Sequence, residues 1–275
     1  MHIVIPSHNR PHSITTHLLL SGHDYMIFLH SEEQRQEYLK NPTIPPERLK
    51  VTGVTGGIAH QRQWILDNYV ERGEWFLTLD DNIKAFTGNP GMYDETTNQM
   101  LPGITGAEAG KLLNQRMDTA RFLLAVQKTI DEASARGAHL VGFANNSNHF
   151  FRKKLYRDVG FVVSKMSAIH HVGIEYDLNT QAKDDYAFCA KHLKTFGRVL
   201  INNALFREAS HLQAGGIGKY EERLPKSIAD AAHLLKEYPG LFRYKIKAGK
   251  HPESEVVMRF HSLKQIDEWR RGRRD

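Results

Sequence analysis

The apolar positions of this chain fall in short runs separated by stretches with helical spacing. His2-Ile-Val-Ile5, Tyr25 to His30, Leu49-Lys-Val51 and Trp75 to Leu79 read as strands. Ser13 to Leu20, a segment opening at Ser31, and Gly56 to Arg72 read as the helices between them. Ser31-Glu-Glu-Gln34 has the form of a capping box, in which the first hydroxyl meets a backbone N–H of the first turn. Strands alternating with helices in this way predict an α/β chain with a doubly wound, mostly parallel central sheet.

Further along, Thr87 to Gly106 is rich in Gly, Pro, Asn and Thr and reads as a long irregular segment, the kind that serves as a lid. Ala107 to Arg136 carries unbroken helical spacing through Leu112, Met117, Phe122, Val126 and Ile130 and predicts one long helix. His139 to Ala144, Gly160 to Ile169 and Arg198 to Asn202 read as strands, with a helix from Ala187 to Gly197 and an extended or irregular stretch from Ala204 to His211. The end of the chain reads as a helix from Lys226 to Tyr238, strands at Phe242 to Ile246 and Val256 to Phe260, and a basic tail, Arg270 to Arg274. No apolar run approaches the roughly 20 residues of a membrane span, and the chain opens on a strand without a signal-peptide pattern, so a cytoplasmic location away from membranes is expected.

Charge then singles out particular residues. Across 275 residues the net charge is +6, with sixteen histidines besides, which favours an anionic partner. The single cysteine, Cys189, excludes an internal disulfide or a multi-cysteine zinc site and reads as a core residue. Trp75 to Leu79 ends abruptly in Asp80-Asp81-Asn82. Acids at the end of a buried strand lie where open α/β sheets bind ligands, and they need a partner there, of which a divalent cation carrying a phosphate is the obvious one. Arg62 falls in the first turns of the helix entered through Gly56-Gly57, where a cation opposes the macrodipole and suits an anion better than the helix. A second acid pair, Asp184-Asp185, precedes a helix, where acids also act as caps. Asn145 to Arg157 packs amides, aromatics and four basic residues into thirteen positions, a composition that suits a polyanion or a sugar as well as a solvated loop. Gln213 to Lys219 is glycine-rich but lacks the GxxxxGK[ST] spacing of a phosphate-binding P-loop, and no GxGxxG follows the first strand.

In order and spacing, residues 1 to about 210 resemble the GT-A glycosyltransferases. The resemblance implies a single GT-A domain with a nucleotide-sugar half (1–105), an acceptor half (106–240) and a C-terminal extension of strands, helix and basic tail (241–275). It implies that Pro6, Ser7, Asn9 and Arg10 of the first loop lie against the nucleotide, that Arg62 contacts the donor, and that Asp80-Asp81-Asn82 matches the DxD motif. That motif holds Mn²⁺ or Mg²⁺ on the donor pyrophosphate; Asp81 and Asn82 are the expected metal ligands, Asn82 through its amide oxygen. A downstream histidine joins the metal in many members, here His211 first and His261 second. Asp185 or Asp184 matches the general base of inverting members. Closure over the donor falls to Gly88 to Gly106 or to Gln213 to Tyr220.

Within that family the chain looks like the phage and TET-associated enzymes that glycosylate hydroxymethylated pyrimidines in DNA, which implies a UDP-sugar donor and double-stranded DNA as acceptor. A saccharide or small-molecule acceptor, a nucleotidyltransferase using the same strand-end acids, and a non-catalytic DNA-binding module are the alternatives.

Overall fold

The computed structural model describes residues 1–103, 106–209, 220–245 and 251–272. The first part follows the predicted alternation: β1 (His2–Pro6), α1 (Thr16–Leu19), β2 (Met26–Leu29), α2 (Glu32–Leu39), β3 (Leu49–Val51), α3 (Ile58–Asn68) and β4 (Trp75–Leu79). Ser31 caps α2 by accepting the Gln34 N–H, as its sequence implies.

Beyond β4 the chain is more broken than its periodicity suggests. β5 (Ile83–Gly88) leads to a small hairpin, β6 (Tyr93–Asp94) and β7 (Gln99–Met100). Met92 and Tyr93 are buried against Leu113, Leu155 and Ala204, so this part of the expected lid is anchored. The single helix expected from Ala107 to Arg136 is two, α4 (Gly106–Leu113) and α5 (Thr119–Ala135), separated by β8 (Arg116–Met117). Asp118 starts α5 afresh by accepting the Arg121 N–H, a competing N-cap inside an apparently continuous pattern. β9 (Leu140–Phe143), β10 (Tyr156–Arg157), β11 (Met166–His170), α6 (Asp184–Phe196), β12 (Leu200–Asn202) and β13 (Leu205–Ala209) follow, then α7 (Tyr220–Glu237), β14 (Phe242–Tyr244), β15 (Val256–Met258) and α8 (Leu263–Arg270).

Among the described residues the central sheet has eight strands in the order β10-β12-β9-β11-β4-β1-β2-β3. β1, β2, β3 and β4 pair in parallel, as do β9 and β12. β11 lies antiparallel to both β4 and β9, which makes those two groups co-directional across it. With β10 also reversed, six of the eight strands run one way, and Pro6, Leu29, Leu79, Phe143 and Asn202 all end at one edge. The sheet is therefore mostly parallel and mixed; the reversed β11, expected as a longer strand from Gly160, starts at Met166.

Both faces are covered. Ile3, Ile5, Leu77 and Leu79 pack with Phe122, Val126 and Ile130 of α5, while Val4 and Phe76 pack with Ile65 of α3 and Phe188 and Leu193 of α6. That two-sided burial is why the strands are continuously apolar. Cys189 lies in the second of these clusters, and burial pushes its thiol up to about 12, so it is inert packing. Among the described residues no helix is long and apolar enough to cross a membrane.

Candidate functional site

The co-directional strands gather their C-terminal ends on one edge, and the loops there carry the predicted acids. The turn after β4 is clamped by two threonines at the start of α1. Thr16 Oγ1 donates to the Asp80 carbonyl at 2.5 Å and accepts the Ile83 N–H at 2.9 Å, while Thr15 Oγ1 donates to the Ile83 carbonyl at 2.8 Å. Backbone groups that water would otherwise solvate are thus satisfied within the turn, and the acids are held in one geometry.

Asp80 and Asp81 then face different partners. Asp81 is buried; Arg10 Nη1 donates to one carboxylate oxygen at 2.7 Å and Ser7 Oγ to the other at 2.5 Å. Because the Ser7 hydrogen goes to Asp81, the Tyr38 hydroxyl 2.6 Å away donates to Ser7, and it in turn accepts the Arg10 N–H at 3.0 Å. This chain of donors ends on the carboxylate, each bond polarising the next. Burial raises the Asp81 pKa, against the opposing pull of Arg10 and the Ser7 bond. Ser7 and Asp81 are buried and, with Arg10, hold the first loop to the acid turn. Pro6 closes β1, and Asn9, exposed at φ 54°, is the residue of that loop left open to solvent. Asn82 is buried.

Asp80 keeps part of its carboxylate accessible, with a side-chain exposure of 27%, and its nearest cation is Arg62 Nη2 at 3.8 Å. Arg62 itself is buried and donates to the Asp184 carboxylate and to the Ser164 carbonyl. Burial works against its charge, but Asp184, Tyr176, Asp80 and Asp185 together raise its pKa. The anion that Arg62 meets is thus internal: it ties the strand-end acids to the first turn of α6.

Asp184 and Asp185 are the first two residues of α6, which feeds β12 and so starts at the functional edge. The approach to that helix is fixed from α7, where buried Asp230 accepts the N–H groups of Gln181, Ala182 and Lys183 at 3.0, 2.6 and 2.9 Å. Asp184 turns inward to Arg62, whereas Asp185 is half-buried and one of its carboxylate oxygens accepts the Tyr186 N–H at 3.0 Å. Burial and the neighbouring Asp184 carboxylate push Asp185 up to about 7, with Arg62 opposing. A carboxyl whose pKa is raised towards neutrality is suited to take a proton.

Arg207 completes the cluster, and sequence reasoning missed it because Ala204 to His211 carries no motif. It lies on β13, opposite Phe86 of β5, the strand that follows the acid turn, so sheet pairing brings it back to the site. It is buried, which lowers its pKa, with the charges of Asp80 and Asp185 raising it in part. Among the described residues its Nε has no hydrogen-bond partner.

The segment Asn145 to Arg157 divides. Arg152 is buried and structural, donating to the carbonyls of Asn203, Leu113 and Ala204 and to Asn114 Oδ1. Phe150 and Phe151, 62% and 65% exposed, project with Lys153 and Lys154 into solvent. Of the histidines expected at a metal, His211 and the glycine loop after it lie outside the described residues, and His261 lines a separate cavity with Tyr186. Among the described residues no three His, Cys, Asp or Glu side chains come together as a metal cage.

No family model matches the chain, and no curated protein matches it in sequence. Solved structures similar to it include Staphylococcus aureus TarS 1–349, at 11% identity and a TM-score of 0.44 over 85% of this chain and 65% of that one. TarS 1–349 in complex with UDP matches over the same shares at 13% identity and a TM-score of 0.44. A further structure of S. aureus TarS matches at 10% identity and a TM-score of 0.43, with 39% of its length covered. The chain thus spans less than two thirds of the length of each.

Proposed function

We propose that this chain is a GT-A-type glycosyltransferase, moving a sugar from a UDP-sugar to a hydroxyl acceptor with Asp185 as general base and Asp80 on the donor side. The observation that carries this is the convergence of Asp80, Asp184, Asp185, Arg62 and Arg207 at one sheet edge, with Asp184 paired inward to Arg62 and Asp185 only half-buried.

The parts suit the reaction. Asp185 accepts the acceptor hydroxyl's proton as that oxygen forms a bond to the sugar's anomeric carbon. The bond from that carbon to the nucleotide phosphate breaks, and UDP leaves with the electron pair. Arg207, a buried cation whose Nε has no partner among the described residues, is placed to offset charge developing on the phosphate. Arg62 holds Asp80 and Asp184 at fixed positions, so no reorganisation of that pair accompanies the reaction.

For the implied Mn²⁺ or Mg²⁺, Asp80 offers the more accessible carboxylate, whereas Asp81 is buried with Ser7 and Arg10 each bonded to one of its oxygens. One accessible carboxylate, supplemented by phosphate and water oxygens, is an ordinary way to hold Mg²⁺. Bound there, the cation would supply Lewis-acid stabilisation of the leaving phosphate.

The acceptor we assign is a hydroxymethylated pyrimidine in DNA. The net charge of +6 and the exposed group Phe150, Phe151, Lys153 and Lys154, aromatic faces for bases beside cations for phosphates, support it. Two measurements test the proposal. Stabilisation against heat by UDP with Mn²⁺, and not by nucleoside triphosphates, is expected; the reverse would favour a nucleotidyltransferase. Incubation with UDP-sugars and hydroxymethylated DNA, then mass spectrometry of the digested nucleosides, should show a hexose added, and unmodified nucleosides would refute the acceptor.

A further inference from the structure

We infer that the cavity beside Tyr186 is the subsite for the acceptor nucleotide, and that Arg157 binds the phosphate next to the modified base. The inference rests on the reading of Asp185 as the base, and it names the group that must sit within its reach.

The cavity measures about 260 Å³ and is walled by β10, β12, the loop after β9 and β15. Two of its lining residues join it to the reaction centre. Tyr186 follows Asp185 directly, and the Ala144 carbonyl accepts a long hydrogen bond, 3.5 Å, from Arg207 Nη1. The cavity therefore neighbours the groups assigned to proton removal and charge stabilisation, one residue from Asp185 in the chain and one hydrogen bond from Arg207, although neither of those two lines it.

Its lining recognises a flat ring next to an anion. Phe161 stacks on Tyr186 with centroids 3.9 Å apart, which makes a rigid aromatic wall. Phe151 stands at the mouth, largely exposed, and makes no ring contact among the described residues, so its face is available for stacking. The volume falls below the about 300–1,000 Å³ typical of pockets for larger ligands, so it suits one ring and excludes a duplex. A base would have to leave its stack to enter.

Arg157 supplies the charge requirement. It is half-buried, and burial alone lowers its pKa; among the described residues no carboxylate pairs with it, and its hydrogen bond is to the Val159 carbonyl at 3.3 Å. Its neighbours in the fold differ. Arg136 has Glu132 and Asp158, and Arg152 has four acceptors around it. A cation partly removed from water without an anion is costly, and a phosphate entering the cavity would remove that cost. His261 adds a second donor on the cavity wall.

The test compares 5-hydroxymethyl-2′-deoxycytidine with its 5′-monophosphate by titration calorimetry, with and without UDP and Mn²⁺. Wild-type protein should bind the monophosphate roughly tenfold or more tightly than the nucleoside. Arg157→Gln should abolish that preference and Arg157→Lys retain part of it, with UDP·Mn²⁺ affinity unchanged in both. Equal affinity of the wild-type protein for nucleoside and monophosphate, or a preference that survives Arg157→Gln, would overturn the inference. Because the nucleotide is also titrated alone, a failure to bind UDP would defeat the donor reading separately from this one.

Discussion

Arg62 and Asp184 meet at the centre of the site with side-chain exposures of only 8% and 6%, and their pairing joins α3 to α6. Arg62→Met keeps an apolar stem of similar length but leaves Asp184 buried without its cation. Removing one member of a buried pair costs about 3–5 kcal/mol, because the remaining charge is neither solvated nor compensated. For 275 residues, at about 2.1 cal/mol/K per residue, the unfolding entropy is about 0.6 kcal/mol/K, so Tm should fall by roughly 5–9 °C. Asp184→Leu should cost less, since Arg62 keeps Asp80 at 3.8 Å. The double variant removes both charges, and apolar replacement of a whole buried pair is often neutral. It should therefore unfold closer to wild type than Arg62→Met does. Calorimetric unfolding of the four proteins closes a double-mutant cycle, with an expected coupling of about 2 kcal/mol or more. A double variant that loses the sum of the two single losses would refute the reasoning, because the side chains would then be acting independently.

Asp185→Asn should leave UDP affinity near normal and lower sugar transfer by roughly 10²–10⁴-fold; wild-type turnover in a steady-state assay would move the base elsewhere. Since burial and Asp184 raise the Asp185 pKa to about 7, the base is protonated below that and free above it, so wild-type kcat should rise with pH through neutrality; a flat profile from pH 5.5 to 8.5 would contradict the assignment. The same shift has the opposite sign for stability. The unfolded carboxyl loses its proton at lower pH than the folded one, so folding is weakened as pH rises through that window, and Asp185→Asn should raise Tm at pH 8 more than at pH 4. Ser7→Ala removes a donor from buried Asp81 and should cost about 1.5–3 kcal/mol by urea unfolding. Asp230→Ala strips the acceptor from three N–H groups before α6 and should cost about 2 kcal/mol or more, with kcat falling while donor KM holds; an unchanged urea midpoint would show the nest to be dispensable.

Much of the frame was legible in order along the chain. The first four strands and three helices lie close to where the apolar runs and the Ser31 cap put them, because local patterning and two-sided burial act together there. The break between α4 and α5 was not, since Asp118 competes as a cap only once Arg116–Met117 has paired with β5. The insertion of β11 against the direction of its neighbours was also hidden, because strand direction is a property of pairing and not of composition.

The sequence by itself determined that two acid pairs and a basic residue would stand at the ends of strands and helices, which is a consequence of hydrophobic runs stopping at charges. Only the tertiary structure decided their roles. Asp80 and Asp81 are adjacent and identical in type, yet Ser7 and Arg10 claim Asp81 while Asp80 stays accessible; Arg62 spends its charge on Asp184, and β13 returns Arg207 to the cleft. Those outcomes depend on which residues distant in the chain come within a few ångströms, and the low dielectric at the sheet edge turns each such meeting into a large difference in protonation and accessibility.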